Sequence, residues 1–208
     1  MAAFRDRRDA GRQLAERLTL LELADPVVLA LPRGGVPVAM EVASLLGAPL
    51  DVFVARKLGA PWQPELAVGA IAEGSDDVVA APHAAQVGFG PADLAALAVR
   101  EREELARRVR RYRGDRQLPG LAGRDVVLVD DGLATGTTAE AALRALRRFG
   151  PRRLVLAVPV AAPDAAERLR GVADDVVSLI SPSNLGAVGA AYDDFTQTTD
   201  DEVTAALS

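Results

Sequence analysis

The amino-acid sequence predicts an α/β fold, with a core of parallel strands and helices flanking it. Short, wholly apolar runs such as Val27–Leu31 and Val126–Val129 are typical of strands that are covered on both faces. Segments with helical periodicity separate these runs, and the alternation favours a parallel sheet with right-handed crossovers. Since no repeat or linker divides the 208 residues, we expect a single domain over residues 1–208.

The predicted elements of the first half alternate in type and then change to a hairpin. An amphipathic helix, a buried strand, a helix closed by Gly47 and a second buried strand span residues 5–24, 27–31, 36–46 and 50–55. A Pro/Gly loop follows at 58–64 and carries the only tryptophan, Trp62. Two strands over residues 66–72 and 78–81 are predicted to form a hairpin.

A long helix over residues 91–112 begins the second half, and a loop at 114–123 leads from it into the next buried strand. Helices and strands then alternate again. The strands are predicted at 126–129, 153–158 and 176–180, and the helices at 139–146, 164–170 and 200–207.

Composition excludes several classes of function. The net charge is −5, so general nucleic-acid binding is not favoured. The chain has no cysteine, and therefore neither disulfides nor thiolate metal sites. Its first residues are too charged for a signal peptide, and no apolar run reaches the roughly 20 residues of a membrane helix. We therefore expect a cytoplasmic protein without membrane association.

The segment Val126–Thr138 carries the strongest functional signal. A buried strand ends at two carboxylates, Asp130 and Asp131, and a loop of small residues leads into a helix. Carboxylates accept hydrogen bonds from sugar hydroxyls, and backbone N–H groups at a helix start bind phosphate. The alternative is a strand end with solvated aspartates and a threonine N-cap, but it leaves the paired carboxylates beside a phosphate-sized loop unexplained.

Two other strand ends carry cations. Pro32-Arg33-Gly34-Gly35 follows the first buried strand, where two glycines let the backbone approach an anion and Arg33 adds charge-assisted hydrogen bonds. Arg56-Lys57 follows the second strand, and Lys57 is the only lysine among 24 basic residues. Ordinary turns with solvated charges are the alternative at both places.

Val126–Thr138 resembles the signature of the type I phosphoribosyltransferases, which bind 5-phosphoribosyl-1-pyrophosphate (PRPP). The resemblance implies that Asp130 and Asp131 hold the ribose hydroxyls and contact Mg²⁺, mostly through water. It assigns the 5-phosphate to the loop Ala134, Thr135, Gly136, Thr137 and Thr138. It assigns the pyrophosphate to Arg33, Gly34, Gly35 and Lys57. We also expect a non-proline cis peptide between Arg33 and Gly34 or just before it.

The family likeness also implies a hood, built here from residues 1–25 and 181–208, that covers the acceptor. Tyr192 and Phe195 of that tail either stack on an acceptor ring or pack on the body. Residues 58–123 are expected to form an insertion or lid. Arg113 and Arg116 are placed in a loop from which they can reach pyrophosphate, while the neighbouring arginines form a solvated face.

The predicted function is Mg²⁺-dependent transfer of phosphoribosyl from PRPP to a nucleobase or similar nitrogen acceptor. Ala134 stands where 6-oxopurine enzymes of this family carry a third acid, which argues against hypoxanthine or guanine. The alternative is a regulatory protein that senses PRPP or a nucleotide without turnover. Small-molecule partners and a homodimer fit the resemblance.

Overall fold

A five-stranded parallel sheet forms the centre of the computed structural model, which describes residues 2–207. The strand order is β2-β1-β6-β7-β8. The strands are β1 (Val27–Ala30), β2 (Leu50–Val52), β6 (Asp125–Val129), β7 (Arg153–Val160) and β8 (Asp175–Ile180). The predicted parallel α/β core is therefore confirmed, and its buried strands need no polar face because both faces are covered.

Helices cover the two faces of this sheet. The helices are α1 (Arg7–Thr19), α2 (Gly35–Leu46), α3 (Pro91–Arg113), α4 (Thr137–Arg147), α5 (Pro163–Leu169) and α6 (Asp200–Ala206), of which α3 packs mainly outside this sheet, with Leu94 and Ala98 against Leu58 and Ile71. Alternate strand residues point to opposite faces: Leu29 and Leu128 pack with α4 and α5, whereas Val28 and Val127 pack with α1 and α2. Across residues 2–207, no helix combines the length and apolarity that crossing a membrane requires.

The middle of the chain forms a second, antiparallel sheet in the order β3-β4-β5. Its strands are β3 (Ala55–Ala60), β4 (Gln63–Ala72) and β5 (Val79–Ala80). The predicted pairing of the last two strands is confirmed. The predicted loop at 58–64 is wrong, because β3 continues to Ala60 and pairs there with Gln63 across a two-residue turn.

The second buried strand also ends earlier than its apolar run, at Val52 instead of Ala55. Phe53 and Val54 are buried at the junction between the two sheets, so the run of apolar residues hides the boundary. Arg56 and Lys57 consequently lie inside β3 and not at the end of a strand of the parallel sheet.

Two helices differ in informative ways from their predicted bounds. Helix α1 is shorter than residues 5–24, because the Asp6 carboxylate caps it and Glu22, with a φ of 48°, stands in the left-handed region beyond its end. Helix α3 extends to Arg113. The predicted loop position of Arg113 is wrong, because its side chain is buried and bonds to Glu73 and to the carbonyl of Val52.

Candidate active site

The candidate site lies where β1 and β6, neighbours in the sheet, reach their carboxyl ends. After β1 the chain continues to β2 on one side of this pair, and after β6 it continues to β7 on the other side. The gap between β1 and β6 is therefore the point where the strand order reverses. Open α/β sheets bind ligands at such a point. The loop after β1 contains Arg33-Gly34-Gly35, and the loop after β6 contains Asp130-Asp131.

The two loops touch at the glycines. A β-carbon on Gly35 would lie 2.6 Å from the carbonyl oxygen of Val129 and 3.0 Å from Cα of Asp130. A β-carbon on Gly34 would come closer still, 2.0 Å from Oδ2 of Asp131. Only glycine fits both positions, because any larger residue would push the acidic loop away. The peptide bond between Pro32 and Arg33 is cis, which confirms the predicted cis bond in this loop.

Asp130 and Asp131 are adjacent, partly buried carboxylates. Burial, followed by the charge of Asp131, raises the pKa of Asp130 well above its ordinary range. Burial also raises the pKa of Asp131, and a hydrogen bond from Arg7 opposes that rise. The backbone N–H of Asp131 donates to Oδ1 of Asp130 at 2.8 Å and fixes that carboxylate in the turn.

The loop from Ala134 to Thr138 turns the chain from β6 into α4. Gly136, the N-cap residue, has a φ of 71° and accepts the hydrogen bond of the Glu140 N–H. No described side chain caps this helix end. Its first N–H groups, with the positive end of the helix dipole, make a cradle of the kind that binds phosphate.

Arg7, at the start of α1, was missed by the sequence reasoning. Its Nε donates to Oδ2 of Asp131 at 2.8 Å and its Nη1 to the carbonyl of Thr196 at 2.8 Å. The Phe195 ring lies 3.7 Å from the guanidinium carbon. A signal for Arg7 was available, since it falls on the same helical stripe as Leu14 and Leu18 and is a cation among buried apolar positions.

Arg33 faces a second residue that the sequence reasoning missed. Its Nη1 lies 3.8 Å from Oδ1 of Asp200, the first residue of α6. The Tyr112 hydroxyl donates to the same oxygen at 2.5 Å. Burial, with that hydrogen bond, raises the pKa of Tyr112 to about 12. Because such contacts join distant parts of the chain, no local pattern indicates Asp200.

Lys57 is not brought into contact with the acidic loop. Its Nζ pairs with Oε2 of Glu65 at 3.1 Å across the β3–β4 hairpin. Arg56 bonds instead to Glu101 of α3. The prediction that both cations follow a strand of the parallel sheet is therefore wrong, because they belong to the antiparallel sheet.

Tyr192 and Phe195 lie beside the acids, in the predicted hood. Tyr192 packs between Phe4 and Phe195, with ring centroids 5.5 and 5.0 Å away, and its hydroxyl donates to the carbonyl of Asp131 at 2.6 Å. Only 6% of Tyr192 is exposed, whereas Phe195 is 36% exposed. Phe195 therefore keeps the larger exposed fraction of the two rings.

The donor atoms at the acidic loop fit Mg²⁺. This ion prefers hard oxygen ligands and is commonly held by one or two carboxylates, with water and substrate phosphates completing its shell. Asp130 and Asp131 provide such a pair. Among residues 2–207, no group of three or more acidic, histidine or cysteine side chains is gathered as a metal cage.

Comparison with known proteins gives three consistent likenesses. A family model described as "Phosphoribosyl transferase domain" matches residues 5–194. Two Mycobacterium tuberculosis proteins, "Putative phosphoribosyl transferase MT0597" of strain CDC 1551 / Oshkosh and "Putative phosphoribosyl transferase Rv0571c" of strain H37Rv, are each 52% identical over 215 residues. These matches cover 100% of this chain and 47% of each relative, so the chain spans about half the length of these curated relatives.

A solved structure matches over nearly its whole length. The crystal structure of TT1426 from Thermus thermophilus is 52% identical to this chain, with a TM-score of 0.82. The match covers 100% of this chain and 98% of TT1426. The arrangement of sheets and helices described above is thus also found in a crystal structure.

Proposed function

The chain belongs to the phosphoribosyl transferase domain family, and we propose that it transfers the 5-phosphoribosyl group of PRPP to a nitrogen of a nucleobase-like acceptor. The observation that carries the proposal is the contact of Gly34 and Gly35 with the Asp130-Asp131 loop at the reversal point of the sheet. This contact brings a loop suited to pyrophosphate against carboxylates suited to ribose.

Each part of the donor has a matching group. Asp130 and Asp131 accept hydrogen bonds from the ribose 2- and 3-hydroxyls. The N–H groups of the loop from Ala134 to Thr138 bind the 5-phosphate at the start of α4. Arg33 and the N–H groups of Gly34 and Gly35 bind the pyrophosphate.

The reaction breaks the bond between ribose C1 and a pyrophosphate oxygen and forms a bond from C1 to the acceptor nitrogen. The electron pair of the broken bond leaves on pyrophosphate, and the proton of the acceptor nitrogen passes to solvent. Arg33 stabilises the charge that develops on the leaving group. Mg²⁺, when bound, supplies further positive charge near the leaving group. Lys57 contributes only after it leaves Glu65.

The test is pyrophosphate release from PRPP and Mg²⁺, measured against a panel of purine, pyrimidine and pyridine bases. Release that depends on one base, and that Asp131→Asn abolishes, supports the proposal. Absence of both PRPP binding and release contradicts it.

The second candidate is a PRPP or nucleotide sensor without turnover. One observation favours it: the second predicted pyrophosphate cation, Lys57, is paired with Glu65 instead of facing the acids. Tight PRPP binding without release for any base would select this alternative. Isothermal titration calorimetry run beside the release assay distinguishes the two functions.

A further inference from the structure

Arg7 makes contacts to two segments that are far apart in the sequence. Its hydrogen bonds reach Asp131, 124 residues away, and Thr196, 189 residues away. The side chain is only 10% exposed, and Phe195 covers the guanidinium plane. A buried guanidinium is costly unless its hydrogen bonds are satisfied, so these partners explain how the cation is accommodated beside the site.

The hydrogen bond from Arg7 occupies one oxygen of the Asp131 carboxylate. Arg7 uses Oδ2 of the carboxylate and does not use Oδ1. The hydrogen bond to Oδ2 restricts rotation of the carboxylate and so biases the direction in which Oδ1 points. Gly34 lies against the same oxygen, since a β-carbon there would stand 2.0 Å from Oδ2, and this contact further limits movement of the carboxylate.

The contact with the tail is supported by backbone pairing. The N–H groups of Asp193 and Asp194 donate to the carbonyls of Phe4 and Arg5 at 2.9 and 2.8 Å. The tail therefore runs beside the residues that precede α1. The Arg7 side chain adds a further contact to it, the hydrogen bond to the carbonyl of Thr196. One side chain thus joins the start of α1, the tail and the acidic loop.

We propose that Arg7 is a positioning residue for phosphoribosyl transfer, which orients the Asp131 carboxylate towards the ribose and holds residues 193–196 over the donor site. This inference rests on the proposed function. Its consequence is a linkage: binding of the donor at Asp131 and ordering of the tail favour each other, because both depend on the same guanidinium.

Three variants test the proposal in the full chain: Arg7→Gln, Arg7→Lys and, as a matched control on the same helix, Arg12→Gln. The Arg12 side chain is 48% exposed, and its nearest carboxylates lie 3.6 and 3.8 Å away. Each variant is measured for PRPP affinity by calorimetry, for hydrogen exchange at the amides of Asp193 and Asp194, and for its unfolding midpoint.

We expect Arg7→Gln to weaken PRPP binding at least about tenfold, as removal of a hydrogen bond to a charged group does, and to accelerate exchange at both amides. Arg7→Lys keeps the charge but cannot make both hydrogen bonds with the geometry of a guanidinium. It should recover part of the affinity while exchange stays fast. Arg12→Gln should change neither.

Two outcomes would overturn the inference. One is unchanged PRPP affinity and unchanged exchange in Arg7→Gln. The other is affinity that simply follows the unfolding midpoint across all three variants, which is the behaviour of a residue that only stabilises the fold. If the unmodified protein binds no PRPP, the proposed function fails on its own, and the exchange measurement still decides whether Arg7 holds the tail.

Discussion

Gly34 lies directly against the carboxylate of Asp131, so that a β-carbon at residue 34 would stand 2.0 Å from Oδ2. This closeness couples the shape of the loop after β1 to the position of the acid after β6. A larger side chain at this contact in either loop would displace the other loop.

Gly34→Ala is therefore expected to weaken PRPP binding by at least about tenfold, because the new methyl group must push Asp131 out of place. Calorimetry with PRPP and Mg²⁺ measures the change. Gly120→Ala is the matched control, since a β-carbon there has open space around it. Equal affinities for both variants would show that the contact has no bearing on the donor.

Asp131→Asn should lower PRPP affinity by about tenfold or more, because an amide binds hydroxyls and Mg²⁺ less strongly than a carboxylate does. It should also loosen Arg7, which loses its charged partner. Asp164→Asn, in the first turn of α5, controls for the loss of one negative charge. Unchanged affinity in Asp131→Asn would contradict the placement of the ribose.

Gly136→Ala separates backbone strain from phosphate binding when it is compared with Gly47→Ala. Both glycines have positive φ, 71° and 60°, so each alanine should cost about 1–2 kcal/mol of stability. Only the change at Gly136 distorts the start of α4, and only it should weaken binding of ribose 5-phosphate. Thermal unfolding measures the loss of stability, and calorimetry measures the affinity for ribose 5-phosphate. Equal affinities in the two variants would count against the phosphate cradle.

We expect the buried cation Arg113 to stabilise the fold. It bonds to Glu73 at 2.7 Å and to the carbonyl of Val52, and its Nε lies 3.5 Å from Asp51. Arg113→Met leaves a buried carboxylate, Asp51, and a partly buried one, Glu73, without their cation, so unfolding in urea should show a loss of about 3–5 kcal/mol.

The exposed pair of Arg107 with Glu104 provides the comparison for Arg113. Arg107→Gln should change the free energy of unfolding far less than Arg113→Met does, since surface ion pairs contribute little. A small effect at both positions would mean that the buried network adds nothing to the stability of the fold.

The stability of the fold is expected to depend on pH through the Asp200 carboxylate. The hydrogen bond from Tyr112, together with the charge of Arg111, lowers the pKa of Asp200 below its ordinary value of about 3.9. A carboxyl whose pKa is lower in the folded state stabilises the fold above its unfolded pKa, and this contribution is lost as the pH falls through the folded value.

Asp200→Asn should therefore cost roughly 1–2 kcal/mol at neutral pH, and the cost should shrink as the pH falls below about 4. Denaturant unfolding at several pH values measures it. Asp201→Asn, whose side chain is 93% exposed, should show no such trend. A difference for Asp200→Asn that is constant with pH would contradict the role of the ionised carboxylate.

The parallel core was predictable because its strands are short apolar runs separated by segments of helical periodicity. The boundary at Val52 was not, because Phe53 and Val54 continue the same apolar run into the junction between the sheets. The acids and the phosphate loop are contiguous in the sequence, and so their pattern is local and visible. Arg7 and Asp200 reach the site only through tertiary contacts, which no local spacing encodes.

Arg7 and its partner Thr196 are far apart in the sequence, so the contact between them can form only late in translation. The ribosome makes the arginine first and the residue that accepts its hydrogen bond 189 positions later. Until then, a nascent chain can pair β1 with β6 but cannot form this hydrogen bond. The contacts of Arg7 with Phe195 and Thr196 are thus among the last of this fold to form, and chains that stop short of Phe195 lack both of them.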